Sequence, residues 1–299
     1  MVRANNTLLV AVPTIILSVF LFDVQGAFIK HMGQRYSIEQ VIVFRNFFGL
    51  FPHVFILYFA ALRNNTSVSW KLDRWKLGLG RGFMLIGAQS CFYFALVNMQ
   101  LATATTLAFC GPLFLTLLSI PMFSHKVGVW RMAAVLLGFA GVVMVMQPGS
   151  DVFSLVALLP IGAAFFYAMA SLTSRYFDSS VSTALINIYS TVSALLAAVV
   201  LLVLSGNWIA MTTVSDWLWF VTMGTVGGCA VMLLITAYRM AEPSLLSPFE
   251  YFGIPFSVAL GWIFFDEKPF DALFPGVLFI VVAGLLVIWR ERVQQAASK

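Results

Sequence analysis

Charge is scarce in this sequence: Asp, Glu, Lys and Arg make up 10% of its 299 residues, against about 25% in a soluble globular chain. Histidine and cysteine are scarcer, with three of each. His31, His53 and His125 lie far apart near the ends of apolar runs, so neither a zinc site nor a hydrolytic triad is expected. Cys91, Cys110 and Cys229 fall singly inside apolar runs, which argues against a disulfide framework and a thiolate metal site. The run Gly78-Leu79-Gly80-Arg81-Gly82 lacks the Lys-Ser/Thr ending and preceding strand of a phosphate loop and reads as a helix start. No cofactor or metal is called for. The 17 basic residues outnumber 12 acidic ones, but they form no single stripe or tail, so no nucleic-acid partner is expected.

What is abundant is apolar: 61% of the chain is hydrophobic and 15% aromatic. A helix of roughly 20 apolar residues crosses a hydrocarbon core about 30 Å thick. Broken at charges, prolines and Asn/Gly clusters, the hydropathy predicts ten spans: 8–30, 39–61, 77–99, 103–123, 127–147, 153–175, 182–205, 216–239, 244–265 and 270–290. The first follows Arg3 without a small-residue cleavage site and reads as an uncleaved helix. With the N-terminus inside, 13 of 17 Lys and Arg fall on the cytoplasmic side, leaving Lys30, Arg35, Arg45 and Lys268 outside. This predicts that both termini are cytoplasmic.

The halves resemble each other at a spacing of about 143 residues, which pairs Pro112 with Pro255 and Ala140-Gly141-Val142-Val143 with Ala283-Gly284-Leu285-Leu286. An odd number of spans per half inverts the second half relative to the first. The expected fold is therefore an all-α integral membrane protein, with ten transmembrane helices as two inverted-topology five-helix repeats, 1–148 and 149–299. In such proteins the substrate site lies where the repeats meet, near mid-membrane.

Span four carries Thr105, Phe109, Pro112, Thr116 and Ser119 on one helix face, and span nine carries Ser244, Ser247, Glu250, Ser257 and Gly261, with Tyr251 beside Glu250. Such stripes face either neighbouring helices or a wet cavity. Pro112, Pro248 and Pro255 each remove a backbone donor and free carbonyls for another partner, or simply kink the helix. Asp23 and Glu250 are the deep carboxylates, each able to hold a substrate ammonium or a coupling proton. A structural ion pair with Lys30 or Arg45 is the alternative for Asp23. Mid-span Tyr93 and Tyr167 are further cavity candidates. Lys30 and Arg45 are candidate structural or gating charges.

These residues resemble the EamA-type transporters of the drug/metabolite transporter superfamily. The resemblance rests on the run from Ala102 to Phe114 and on Gln147-Pro148-Gly149 in the first half. In the second half it rests on Pro248-Phe249-Glu250-Tyr251 and Leu260-Gly261-Trp262-Ile263-Phe264-Phe265-Asp266-Glu267. Asp23 with Lys30, Phe44-Arg45 and Phe92-Tyr93-Phe94-Ala95-Leu96 add to it. It implies a ten-helix carrier with a central cavity, working by alternating access in the bacterial inner membrane. It also implies a small-molecule substrate, lipid contact, proton coupling, and a monomer or weak dimer. Members include YddG-like exporters of aromatic and other neutral amino acids, which sets amino-acid export as the leading expectation. Carriage of S-adenosylmethionine, drugs or nucleotide-sugars is the alternative, with a channel, scaffold or intramembrane enzyme behind it. In two places the sequence departs from the family pattern: Ser124-His125-Lys126 stands where Gly-Glu and a basic residue are usual, and Asp266 replaces the usual Gly before Glu267.

Overall fold

The computed structural model describes residues 2–63, 65, 70–123, 129–146, 155–178, 181–240 and 246–297. Helices dominate, as hydrocarbon requires, because an α-helix satisfies its backbone N–H and C=O groups within one segment. They are α1 (Val2–Gly33), α2 (Ile38–Arg63), α3 (Trp75–Asn98), α4 (Leu101–Ala108), α5 (Gly111–Phe123), α6 (Val129–Met146), α7 (Leu158–Thr173), α8 (Thr183–Ser205), α9 (Val214–Met240), α10 (Gly253–Phe265), α11 (Phe270–Leu273) and α12 (Gly276–Ala297). Short 3₁₀ turns occupy Leu155–Ala157, Ser174–Tyr176 and Ser247–Phe252.

Each of the ten predicted spans has helix at its position. Five are long and apolar enough to cross a membrane: Leu9–Gly33, Ile38–Arg63, Leu155–Thr173, Thr183–Ser205 and Val214–Tyr238. Four others are shorter apolar helices, Leu101–Leu115, Met132–Met146, Phe249–Phe265 and Gly276–Leu286. The third, α3, has 24 residues and carries Lys76 and Arg81 in its first two turns.

Spans four and nine are not continuous α-helices, so the unbroken polar faces expected along them are interrupted. In span four α4 stops at Ala108 and α5 starts at Gly111; in span nine a 3₁₀ segment runs to Phe252 and α10 starts at Gly253. At the repeat spacing these breaks correspond, and each lies three residues before a proline, Pro112 or Pro255. A proline ring excludes the carbonyl four residues back, here that of Ala108 and Tyr251.

The packing comes in matched pairs. Helix α9 lies against α1 and α2, and α3 lies against α7 and α8. Likewise α10 packs on α1, and α5 on α7. The contacts α2–α8, α4–α10 and α6–α12 join each span to its own counterpart in the other half. On α2 the exposed residues Phe47, Phe51, Phe55 and Phe59 form a row at steps of four, suited to lipid.

Candidate functional site

Lys30, near the end of α1, is buried, and its partner is Glu267 rather than Asp23: Nζ lies 2.8 Å from Glu267 Oε1. The Asp23–Lys30 pair, an alternative considered for Asp23, does not form. Lys30 Nζ also donates to the carbonyls of Leu96, at 3.0 Å, and Met99, at 2.5 Å. Those carbonyls belong to the frayed C-terminal end of α3, where a cation is favoured. The other oxygen of Glu267, Oε2, accepts from Leu101 N at 2.8 Å, at the start of α4 where an acid is favoured. Asp266 makes this reach possible. It caps α10 in the left-handed region at φ 53°, a conformation Asp tolerates better than most side chains. The chain then turns back, with Glu267 N donating to Gly261 O at 3.1 Å. A Cβ on Gly261 would come within 2.8 Å of Glu267 Oε2, so glycine is what permits the fold-back.

Asp23 sits deeper on α1. It is 6% exposed, and its Oδ2 has no hydrogen-bond partner. Across from it, Gly253 begins α10: a Cβ there would lie 3.2 Å from Asp23 Oδ2, 3.0 Å from Phe109 Cζ and 3.1 Å from Val19 Cγ1. The break in span nine therefore brings backbone up to the carboxylate, and the break in span four delivers Phe109 to the same place. The Phe109 ring lies 5.3 Å from that of Tyr251. The Tyr251 hydroxyl is buried without a partner and presses on Gly284 of α12. Next to it, Glu250 accepts a hydrogen bond from the Tyr238 hydroxyl of α9. Four of the predicted residues thus fall along one seam between α1, α4 and the start of α10, or directly beside it: Asp23, Phe109, Glu250 and Tyr251; Pro112 is partly buried on the first turn of α5.

A second group lies where α2 and α3 meet, and α3 in turn packs on α7. Arg45 on α2 donates from NH1 to Asn46 Oδ1 at 3.1 Å, while its Nε is enclosed without an acceptor. Asn46 and Gln89 exchange hydrogen bonds of 2.8 and 3.2 Å across α2 and α3. Tyr93, four residues beyond Gln89 on α3, is buried, and Tyr167 lies on α7 with 37% of its surface exposed.

The remaining predictions divide. Thr105 is buried and its carbonyl accepts from Phe109 N, but the hydroxyl left without a partner is that of its neighbour Thr106, which the sequence did not single out. Ser247 and Pro248 open the 3₁₀ segment of span nine, and their side chains lie outside the described residues, as do those of Thr116 and Ser119. Ser244 and the divergent Ser124-His125-Lys126 lie outside them altogether. Arg81, one of the 13 cations counted to the cytoplasmic side, is buried and donates to Ala170 O at 2.9 Å and Ser190 Oγ at 3.1 Å. A pocket of about 220 Å³ opens beside it, lined also by Phe177, Asp178 and Asn187. It contains none of Asp23, Glu250 or Arg45, so it is distinct from the central seam.

The model of the EamA-like transporter family matches residues 9–147 and again residues 154–289. A riboflavin transporter of Vibrio cholerae is 30% identical over 209 residues, covering 70% of each chain. An S-adenosylmethionine uptake transporter of Rickettsia bellii is 25% identical over 99% of this chain and 98% of its own. A pseudopaline exporter of Pseudomonas aeruginosa is 25% identical over 90% and 92%. One crystal structure aligns over 93% of this chain and 95% of its own, with TM-score 0.64 and 20% identity, a likeness of fold alone.

Proposed function

The chain belongs to the EamA-like transporter family, and on that premise we propose that it is a secondary carrier of neutral, ring-bearing amino acids and related cationic metabolites. The observation that carries this reading is the Asp23 carboxylate, buried and short of a partner beside the Phe109–Tyr251 pair. A carboxylate in that position is costly until it meets a cation. A substrate ammonium or sulfonium supplies one, and the aromatic wall favours both the cation and an attached ring. Tryptophan and phenylalanine fit this description. S-adenosylmethionine is the second reading, favoured by the nearly full-length similarity to S-adenosylmethionine uptake transporters.

The carrier works by alternating access between two inverted five-span halves, a reading supported by the matched helix contacts and the corresponding breaks. It resides in the bacterial inner membrane with both termini cytoplasmic, supported by the distribution of Lys and Arg. Glu250, held by Tyr238, is the group for a coupling proton. Net direction, export or uptake, follows the gradients.

The test is counterflow in proteoliposomes with tryptophan, phenylalanine, S-adenosylmethionine and riboflavin. Saturable exchange of at least one amino-acid-type compound is expected. Exchange of riboflavin alone, or no saturable flux, sinks the proposal. Acceleration by an imposed pH gradient is expected for proton coupling, and indifference to it leaves simple exchange.

A further inference from the structure

We propose that the cavity beside Arg81 seats the phosphate of an anionic lipid headgroup at the membrane surface, the cytoplasmic one in the topology proposed above. The site is separate from the central seam, so it stands or falls independently of the solute carried.

Arg81 lies in the second turn of α3 and is 9% exposed. Its Nε donates to Ala170 O at 2.9 Å, and NH1 donates to Ser190 Oγ at 3.1 Å and, at a long 3.5 Å, to Asn187 Oδ1. All three partners are neutral. Among the described residues the ion pairs are Lys30–Glu267, Arg35–Asp216 and Lys71–Asp73, and none includes Arg81. The Ala170 carbonyl belongs to the last turn of α7, and a helix end supplies only about half a negative charge. The guanidinium is therefore held in place without being neutralised. Among the described residues no hydrogen bond reaches its other terminal nitrogen, NH2, and the side chain lines a cavity of about 220 Å³. A guanidinium so placed offers the planar fork of donors that suits a phosphate.

The cavity is firmly walled. A Cβ at Gly82 would lie 2.5 Å from the Ser190 carbonyl and from Ser193 Cβ, so α3 and α8 close tightly next to Arg81. The lining residues Phe177, Val181 and Ile186 pack in one apolar cluster with Leu72 and Leu185. A second cavity of about 260 Å³ shares Phe177, Asp178 and Val181 with the first and adds Arg74, which is fixed by its NH1 bond to Tyr176 O at 2.7 Å. Two carboxylates also line this region. Asp178 is exposed and already partnered, and Asp73 faces Lys71 at 4.0 Å.

Position selects the source of the phosphate. Trp70, Trp75 and Tyr176 are exposed on the same segments, and such aromatics mark the headgroup level of a membrane. Lys71, Arg74 and Lys76 add positive charge within ten residues of Arg81. A basic pocket between spans at that level is where an anionic headgroup finds its partners. The apolar Phe177 and Val181 suit the glycerol and the start of the acyl chains.

The experiment titrates the purified full-length protein with phosphatidylglycerol, phosphatidylcholine and soluble glycerol 3-phosphate, reading bound ligand by native mass spectrometry and Tm by thermal shift. The wild type is expected to bind phosphatidylglycerol about tenfold more tightly than phosphatidylcholine, whose trimethylammonium brings a cation toward two arginines. Asn187→Asp sets a carboxylate against Arg81 while keeping an acceptor for it. That variant should keep or raise Tm in detergent and shrink the lipid preference to less than about threefold. Ser174→Glu, which adds an acid at an exposed position of the same lining, should act alike and serves if Asn187→Asp does not fold. Lys76→Gln removes one positive charge outside the cavity and should leave the preference intact. Equal binding of the two lipids by the wild type overturns the proposal. So does a preference that survives both acidic variants, or an equal loss in Lys76→Gln, which would mark general surface attraction. Glycerol 3-phosphate binding as tightly as phosphatidylglycerol would make the site one for a soluble phosphate and overturn the lipid assignment.

Discussion

Glu267 and Asp23 are both carboxylates enclosed against α1, and they differ in how completely they are satisfied. Glu267 holds Lys30 with one oxygen and the first N–H of α4 with the other. Asp23 has an oxygen with nothing to hold. A fully partnered buried charge fixes structure, whereas an orphaned one costs stability and persists only where something else completes it. By this criterion the Lys30 end of the bundle serves as architecture, and the seam at Asp23 is the exchange site of the function proposed above.

The largest expected effect tests the first half of that contrast. Lys30→Met or Glu267→Leu alone strands a buried charge and should cost about 3–5 kcal/mol, seen as a lowered Tm in detergent. The double variant should recover most of the loss. Double and single variants of equal Tm would show that Glu267 is no more structural than Asp23. The next effect runs the other way. Asp23→Asn should lower transport by about tenfold or more while leaving Tm unchanged or raised, because no protein contact is lost. A fall in Tm matching that of the Glu267 variant would erase the distinction. The smallest effect sharpens it: Gly253→Ala places a methyl against Phe109, Val19 and Asp23, and should raise KM about threefold for ring-bearing substrates but little for alanine. A uniform change across substrates would separate Gly253 from the site.

Much of this was legible in the sequence because hydropathy is local. Each predicted span coincides with helix, and the prolines flagged at 112, 248 and 255 mark the two interrupted spans. The position of the breaks, three residues ahead of Pro112 and Pro255, follows from the reach of a proline ring back along the helix. Partnerships between distant side chains were not legible. Lys30 has Asp23 as its nearest acid in sequence, two turns away on the same helix, yet it points past the end of α3 to Glu267. Arg81 was counted only toward the cytoplasmic charge, at a glycine-rich helix start, and its burial was not foreseen. The signal that it is buried was the glycines beside it: a Cβ at Gly82 would meet Ser193 and the Ser190 carbonyl of α8, so the two helices close over the arginine. Thr105 and Thr106 are adjacent and chemically alike, and only the packing shows which hydroxyl is left without a partner.

The clasp made by Lys30 and Glu267 has a consequence in time. It gathers the ends of α1, α3, α4 and α10 at one point. Under alternating access, opening that end requires the two charges to part where little water is at hand to receive them. In the alternating-access cycle proposed above, the pair would then act as a clock as well as a brace, setting how long the carrier waits closed on that side. Because both charges are sheltered, ionic strength, which screens exposed charges far more than buried ones, should leave the waiting time nearly unchanged.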